Sequence, residues 1–267
     1  MKEIRIIGKI SDDEFAKAHA FLIQDKEKGL QRMPGESRKT PQERRFLRLI
    51  RGYIQQEFAE LGFEAPRLNQ RQFHFFNSAS AKEHFQIPGD VSHIDNMASS
   101  VVMNKDEFHN RLEFFFAVLH EGLHLVSYEA YHPYIQEWPV ASYRSGYMVS
   151  DYRGNQYHEH LRKFNEGVVD TYAGEIMGKH WDELVDTFGF TQREVDAYER
   201  RYRDGRTGYG VHREMVLSMV SEIARYRSEP YETTWQRFKK GLFTGHMMHL
   251  RDIDYVFGRG QLQVVSR

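Results

Sequence analysis

Apolar residues recur at helical spacing in two long segments of the chain. Residues 41–61 keep this spacing throughout, and Gly62 follows at a position where a glycine commonly ends a helix. Residues 105–128 are apolar along most of their length. Asn104 precedes them as an N-cap residue, and Glu107 lies three positions further on, the spacing of a capping box. We therefore predict a helix over 41–61 and one long helix over 105–128.

Helical spacing also marks five other segments. The first begins at Ser11, a residue type that favours the N-cap, and acidic residues follow in its first turn. The others show apolar residues at the period of a helix. The five segments are residues 11–24, 157–181, 191–202, 209–226 and 232–243.

Short runs of β-branched and aromatic residues predict strands at 4–10, 71–77 and 98–104. Residues 129–156 are also aromatic, but they contain two prolines and two glycines and show no sustained period. We predict a long functional loop there. A mixed N-terminal part followed by a mostly helical C-terminal part indicates an α+β fold with a small mixed sheet.

One stretch of the chain suggests a boundary. Residues 28–44 carry glycine, proline and charge without periodicity, which is typical of an exposed connection. Residues 1–40 would then form an N-terminal strand, a helix and a flexible connection, and residues 41–267 the main domain. Within that domain we expect a mixed part over 41–130, which includes the long helix, and a helical part over 131–267.

Charge and cysteine content narrow the chemistry. The chain has 267 residues with 37 Lys and Arg against 38 Asp and Glu, a net charge of -1, so we expect no nucleic-acid partner. No run approaches the roughly 20 apolar residues of a membrane span, and the N-terminus lacks a signal-peptide pattern. We expect a cytoplasmic protein without a membrane partner. Because the chain has no cysteine, any metal must be held by His, Asp and Glu.

The long predicted helix contains the pattern His-Glu-x-x-His. His120 and His124 are four residues apart, so on a helix both side chains project from one face and can reach one ion. Glu121 lies about 100° around the helix from His120, where it can contact a water on that ion. In zinc hydrolases two neutral imidazoles hold the metal while such a carboxylate takes a proton from the water. The alternative is a pair of hydrogen-bonded core histidines.

A carboxylate pair follows in the helix predicted over 157–181. A tetrahedral zinc ion with two imidazole ligands needs a third protein ligand and an open position. Glu166 stands in an Asn-Glu-x-x-x-Asp segment, and Asp170 follows one helical turn later on the same face. A metal-bound histidine usually donates its other ring N–H to such a carboxylate. The segment can therefore supply both the third ligand and its supporting partner.

With these two motifs in this order, the chain resembles the gluzincins, the thermolysin-like clan of zinc peptidases. The resemblance implies one Zn²⁺ cofactor. It implies three metal ligands, His120, His124 and Glu166. It also implies that Glu121 is the general base and that Asp170 orients a ligand imidazole.

The resemblance covers residues 70–180, with a longer spacing between the two motifs than in thermolysin. It implies a zincin-like fold in which the long helix carries the His-Glu-x-x-His motif. In zincins of this kind an edge strand pairs with an extended peptide substrate, and residues 98–104 stand at the corresponding place. The alternative is that residues 98–104 form an ordinary internal strand.

Other histidines and a tyrosine are candidates for the remaining roles. Gluzincin-like sites use a Tyr or His beyond the third ligand to stabilise the oxyanion, and Tyr209 and His212 lie there in a glycine-flanked stretch. A structural role is the alternative for both. Two histidine pairs, at 158–160 and 246–249, lack a catalytic carboxylate in the right phase, so we expect them on the surface or in the core.

The motifs predict a zinc metallopeptidase that hydrolyses a bond in a peptide or protein substrate, with Glu121 as general base on a zinc-bound water. One alternative is a zinc hydrolase or amidase that acts on a non-peptide substrate. The other is a catalytically silent interaction module that a metal stabilises.

Overall fold

The computed structural model describes residues 3–81, 92–133, 140–153, 156–203 and 210–265. Within these ranges the chain forms helices and two small sheets, which confirms the α+β class. The strands are β1 (Phe73–Phe76), β2 (Ser92–Asp95), β3 (Ser100–Asn104), β4 (Glu129–His132), β5 (Ala141–Ser145), β6 (Met148–Arg153) and β7 (Gln156–His160). The helices are α1 (Asp12–Lys28), α2 (Pro41–Glu60), α3 (Ser78–Ala81), α4 (Arg111–Val126), α5 (Arg162–Lys179), α6 (Trp181–Phe188), α7 (Gln192–Arg203), α8 (Gly210–Arg227), α9 (Tyr231–Thr244), α10 (Arg251–Phe257) and α11 (Gln261–Val265).

The first sheet has three strands in the order β1, β3, β2. β1 runs parallel to β3, and β2 runs antiparallel to it on the other side. β3 is therefore an internal strand, so of the two alternatives for residues 98–104 the structure shows the internal one. Within the described part of the chain, β1 and β2 are the two edge strands of this sheet. The sequence of β2, Ser-His-Ile-Asp, is too short and polar to predict a strand.

The second sheet is antiparallel, in the order β4, β5, β6, β7. It occupies most of residues 129–156, so the prediction of a long loop there is wrong. All of β5 except its last residue is only partly buried. When both faces of a strand are half-exposed, selection for alternating apolar and polar residues is weak, and the period that reveals a strand is lost.

Helix α4 begins later than predicted. Asn104 does act as an N-cap, but for a short 3-10 helix over Lys105–Glu107. A second cap follows at Asn110, whose Oδ1 accepts a hydrogen bond from the backbone N–H of Glu113 at 2.9 Å. The sequence thus contains two N-cap signals six residues apart, and the second one starts α4. The helix predicted over 157–181 likewise begins later, because β7 occupies its first residues.

The N-terminal segment follows its predicted pattern only in part. Ser11 caps α1 with a complete capping box, as expected. The strand predicted over 4–10 reduces to a single parallel bridge between Ile6 and Tyr131. Ala18 and Leu22 of α1 pack against Tyr131 in a small satellite core. This segment is therefore attached to the second sheet through β4.

Helix α4 runs through the main core of the molecule. Its side chains are buried around most of its circumference, and the apolar ones share one cluster with residues of α2, β1, β3, α5, α8 and α9. From α5 onwards the described chain forms helices without a strand, but residues 131–160 hold most of the second sheet, so the helical part begins later than predicted. None of the described helices is both long and apolar enough to cross a bilayer.

Residues 29–40 contact the first sheet. The Glu36 carboxylate is buried and lies 2.9 Å from Nδ1 of His74 on β1, and the backbone N–H of Ser37 donates to the carbonyl of Phe75. Burial raises the pKa of Glu36, but hydrogen bonds from His74 and Lys39 outweigh it and lower the pKa to about 2. The ionised carboxylate therefore stabilises the fold.

We expect Glu36→Gln to lower the free energy of unfolding at pH 7 by about 1–3 kcal/mol, because hydrogen bonds to a charged group are lost. The pKa of Glu36 is lower in the folded chain than in the unfolded one, so its contribution is present above its unfolded pKa and falls as pH drops towards 2. Urea unfolding should show the difference from the wild type shrink between pH 6 and pH 3. Exposed Glu232→Gln is the control, and a pH-independent difference would contradict the assignment.

Candidate metal centre

Helix α4 brings His120 and His124 together. The two residues are one turn apart and both are buried, with 5% and 7% exposure. Their ring centroids lie 4.8 Å apart and their Nε2 atoms 3.1 Å apart. Both imidazoles thus point the same nitrogen at the same place, as the i, i+4 spacing predicts.

Helix α5 adds a carboxylate oxygen at this place. Oε2 of Glu166 lies 3.2 Å from Nε2 of His120 and 3.2 Å from Nε2 of His124. Close packing of α5 and α8 depends on the next residue, Gly167, where a Cβ atom would lie only 2.5 Å from the backbone carbonyl oxygen of His212. Helix α8 therefore packs closely against α5 at Gly167, and Glu166 extends from α5 to the two histidines.

The three atoms fit the ligand geometry of a small divalent cation. Zinc binds imidazole nitrogen and carboxylate oxygen at about 2.0–2.2 Å, so two ligands at the tetrahedral angle lie about 3.3 Å from each other. The observed separations are 3.1 to 3.2 Å. Among the described residues, these three form the group of His, Cys, Asp and Glu side chains that could hold a metal ion. The donor set, two imidazoles and one carboxylate, is one that zinc hydrolases use.

The centre is strongly coupled electrostatically. Burial lowers the pKa of His120, but the bond to Glu166 and the charges of Glu121, Glu166 and Asp170 outweigh it and raise the pKa to about 9. Burial likewise raises the pKa of Glu166, yet His124 and His120 hold it far below its ordinary range. The surrounding carboxylates thus favour a positive charge at this position.

Asp170 lies behind His120. One carboxylate oxygen is 3.7 Å from Nδ1 of His120, and the other is 3.9 Å from Nη1 of the buried Arg213 on α8. Burial raises the pKa of Asp170, while the charges of His120 and Arg213 oppose this rise. Asp170 therefore faces the ring nitrogen of His120 that points away from the ligand cluster, which is the place predicted for a supporting carboxylate.

Glu121 lies beside the ligand cluster without belonging to it. Its side chain is 9% exposed. Ser92, at the start of β2, donates a hydrogen bond from Oγ to Oε1 of Glu121 at 2.6 Å. The carboxylate is therefore held by β2, an edge strand of the first sheet, next to the place where the imidazoles converge.

Asn165 connects the centre to the second sheet. Its Oδ1 accepts a hydrogen bond from the backbone N–H of Tyr147 at 2.8 Å, and its Nδ2 lies 3.5 Å from Nδ1 of His124. Gly146, in the turn between β5 and β6, has a φ of 57°, and a Cβ there would lie 2.5 Å from Asn165 Oδ1. This turn can approach Asn165 only because residue 146 lacks a side chain.

The two predicted oxyanion donors have different outcomes. Tyr209 lies outside the described residues. His212 lies in the first turn of α8, where its backbone contacts Gly167 and its imidazole contributes to the field at Asp170. Its role as an oxyanion donor stays a prediction. Of the other histidines, His249 is buried and bonded to the Tyr147 hydroxyl at 2.7 Å, and His160 faces Asp151.

Three residues of the centre were not assigned a role from the sequence: Ser92, Asn165 and Arg213. Asn165 is the first residue of the Asn-Glu-x-x-x-Asp segment, so the motif itself contained a signal for it. Arg213 follows His212 directly, but a single arginine carries no pattern that points to the centre. Ser92 reaches Glu121 through space across 29 positions of sequence, and nothing in its local sequence indicates that contact.

No family model matches the chain, and no curated protein or solved structure matches it either. The resemblance to the gluzincins therefore rests on the two motifs alone. The positions of His120, His124, Glu166 and Glu121 in the structure are a separate observation, and a function can be proposed from them.

The turn at Gly146 can be tested by stability. We expect Gly146→Ala to lower the free energy of unfolding by about 3 kcal/mol or more, because an alanine meets both an unfavourable φ and the Asn165 side chain. Gly62→Ala is the matched control: φ there is 82°, but nothing lies within 4 Å of the added Cβ. It should cost about 1 kcal/mol. Equal losses in urea unfolding would refute the contact with Asn165.

Proposed function

We propose that this chain is a zinc-dependent hydrolase that cleaves peptide bonds. The observation that carries the proposal is the convergence of three ligand atoms, from His120, His124 and Glu166, at separations of 3.1 to 3.2 Å. The buried carboxylate of Glu121 stands beside them and is not one of the three. A structural metal site has no need of such a carboxylate, whereas a hydrolase requires a base at that place.

His120, His124 and Glu166 would hold the ion, and Asp170 would orient the His120 imidazole through Nδ1. When bound, zinc supplies Lewis acidity to the substrate carbonyl and makes a nearby water more acidic. Three protein ligands leave one position for water or substrate. A zincin-like arrangement of a motif helix, α4, against a third-ligand helix, α5, belongs to the same proposal.

Glu121 carries the proton in the proposed reaction. It takes a proton from the attacking water and then delivers it to the leaving amine as the carbon–nitrogen bond breaks. Its low exposure limits competition from bulk water for this proton. The Glu121 carboxylate is ionised at the start and at the end of the cycle, because it gives the leaving amine the same proton that it took from the water.

The position of β2 supports a peptide as the substrate. β2 pairs with β3 on one side and is one of the two edge strands of the first sheet in the described chain. Its first residue touches Glu121. An extended peptide that adds to this edge would present its backbone to the ligand cluster, with main-chain hydrogen bonds supplying affinity. In this proposal the extended peptide substrate therefore pairs with β2, and not with residues 98–104.

The metal can be tested without any substrate. Elemental analysis of the purified chain should find about one zinc per chain. His120→Ala, His124→Ala and Glu166→Ala should each weaken zinc binding by at least about 10-fold, whereas His246→Ala, at an exposed histidine outside the cluster, should not. Chelation should also lower the melting temperature, because zinc binds the native state preferentially. Unchanged zinc content in all three cluster variants would disprove the site.

The base can be tested separately from the metal. Glu121→Gln is nearly isosteric but cannot accept the proton, so it should keep zinc and the fold while kcat falls by about 10²- to 10⁴-fold. A peptide library and a panel of small amides should be assayed together. Wild-type activity in the variant would exclude the general-base role, and loss of zinc would place Glu121 among the ligands. Activity on small amides alone would favour an amidase.

A further inference from the structure

Ser92 stands out among the residues near the centre because it touches the base and not the metal ligands. Its Oγ donates to Oε1 of Glu121 at 2.6 Å. This distance is typical of a hydroxyl bonded to an ionised carboxylate, which is among the stronger hydrogen bonds in proteins. Glu121 has two carboxylate oxygens, and this bond engages only one of them.

The position of Ser92 is fixed by the fold of β2. Successive side chains of a strand point to opposite faces, so Ser92 and Ile94 share a face. Ile94 packs against the main core, to which α4 belongs. Ser92 also pairs in register with Met103, which is fully buried on β3. The hydroxyl is therefore presented to α4 by a strand that is anchored by its pairing with β3 and by Ile94.

We infer that Ser92 is a positioning residue for the general base, an assignment that rests on the proposed function. Ser92 holds Oε1 of Glu121 so that Oε2 is directed at the attacking water. A glutamate side chain has three rotatable bonds, and the hydrogen bond selects one orientation of its carboxylate. Because proton transfer requires a donor and acceptor at hydrogen-bond distance, loss of this orientation slows the chemical step and leaves substrate binding intact.

The inference also gives β2 two tasks. In the proposed function its edge pairs with the substrate backbone, and its first side chain holds the base. A peptide bound along β2 is therefore placed in register with Glu121 by the same strand. Substrate position and base position then depend on one element, and displacement of that element moves both together.

The test compares Ser92→Ala with Ser92→Thr in the full-length zinc-loaded chain. Alanine removes the hydroxyl, and threonine keeps it on a side chain that strands favour. Ser100→Ala is the matched control: Ser100 lies on β3 of the same sheet, it is fully buried, and its hydroxyl has no hydrogen-bond partner among the described residues. Steady-state kinetics on a cleaved peptide, zinc content and a crystal structure of each variant are measured.

We expect Ser92→Ala to keep about one zinc per chain and a KM within about 2-fold of the wild type, while kcat falls by about 10-fold or more. Ser92→Thr should recover most of the lost kcat, and Ser100→Ala should match the wild type. The crystal structure of Ser92→Ala should show the Glu121 carboxylate displaced from its wild-type orientation.

Wild-type kcat in Ser92→Ala, or a Ser92→Thr variant as slow as Ser92→Ala, would overturn the inference while leaving the proposed function intact. If the wild type cleaves no peptide, the proposed function fails and the structures decide the role of Ser92. An unmoved Glu121 carboxylate in Ser92→Ala would then refute it, and a displaced one would support it.

Discussion

The arrangement of α5 and β2 around the candidate metal centre depends on the burial of α4. This helix lies in the main core, yet three of its buried side chains, His120, Glu121 and His124, are polar. Buried polar groups are costly unless each has a partner. Because α4 cannot supply partners from its own backbone, other elements must bring them: Glu166 and Asp170 come from α5, and Ser92 comes from β2. The positions of α5 and β2 around α4 follow from this requirement.

Three consecutive residues of α5 contact three different parts of the structure. Asn165 binds the turn between β5 and β6, Glu166 turns towards the histidines, and Gly167 lets α8 approach from behind. Successive residues on a helix are about 100° apart, so three neighbours can serve three surfaces. The second sheet and the C-terminal helices are thus both fixed to the segment that carries Glu166.

The sequence predicts the elements whose signal is a periodic pattern of residues within one segment. Helical spacing located α2, α4 and α8, and the spacing within α4 placed His120 and His124 side by side. It failed where the signal was shared between elements. β5 is half-exposed along most of its length and has no clear period, and β2 has a short polar sequence that forms a strand through its pairing with β3. Ser92 was missed for the same reason, because its contact with Glu121 exists only once β2 and α4 pack together.

Charge explains why these particular groups occur together. Glu121, Glu166 and Asp170 bring three carboxylates into a region of low exposure, and Arg213 is the one permanently charged cation that the described chain places against them. The high pKa of His120 is a consequence of this negative excess. A divalent cation held by the two imidazoles and Glu166 would offset it more fully than a proton can, because its charge is larger and lies at the point where the three ligand atoms converge. Burying these carboxylates in an apolar core is unfavourable by itself. The same carboxylates make this part of the core favourable for a metal ion.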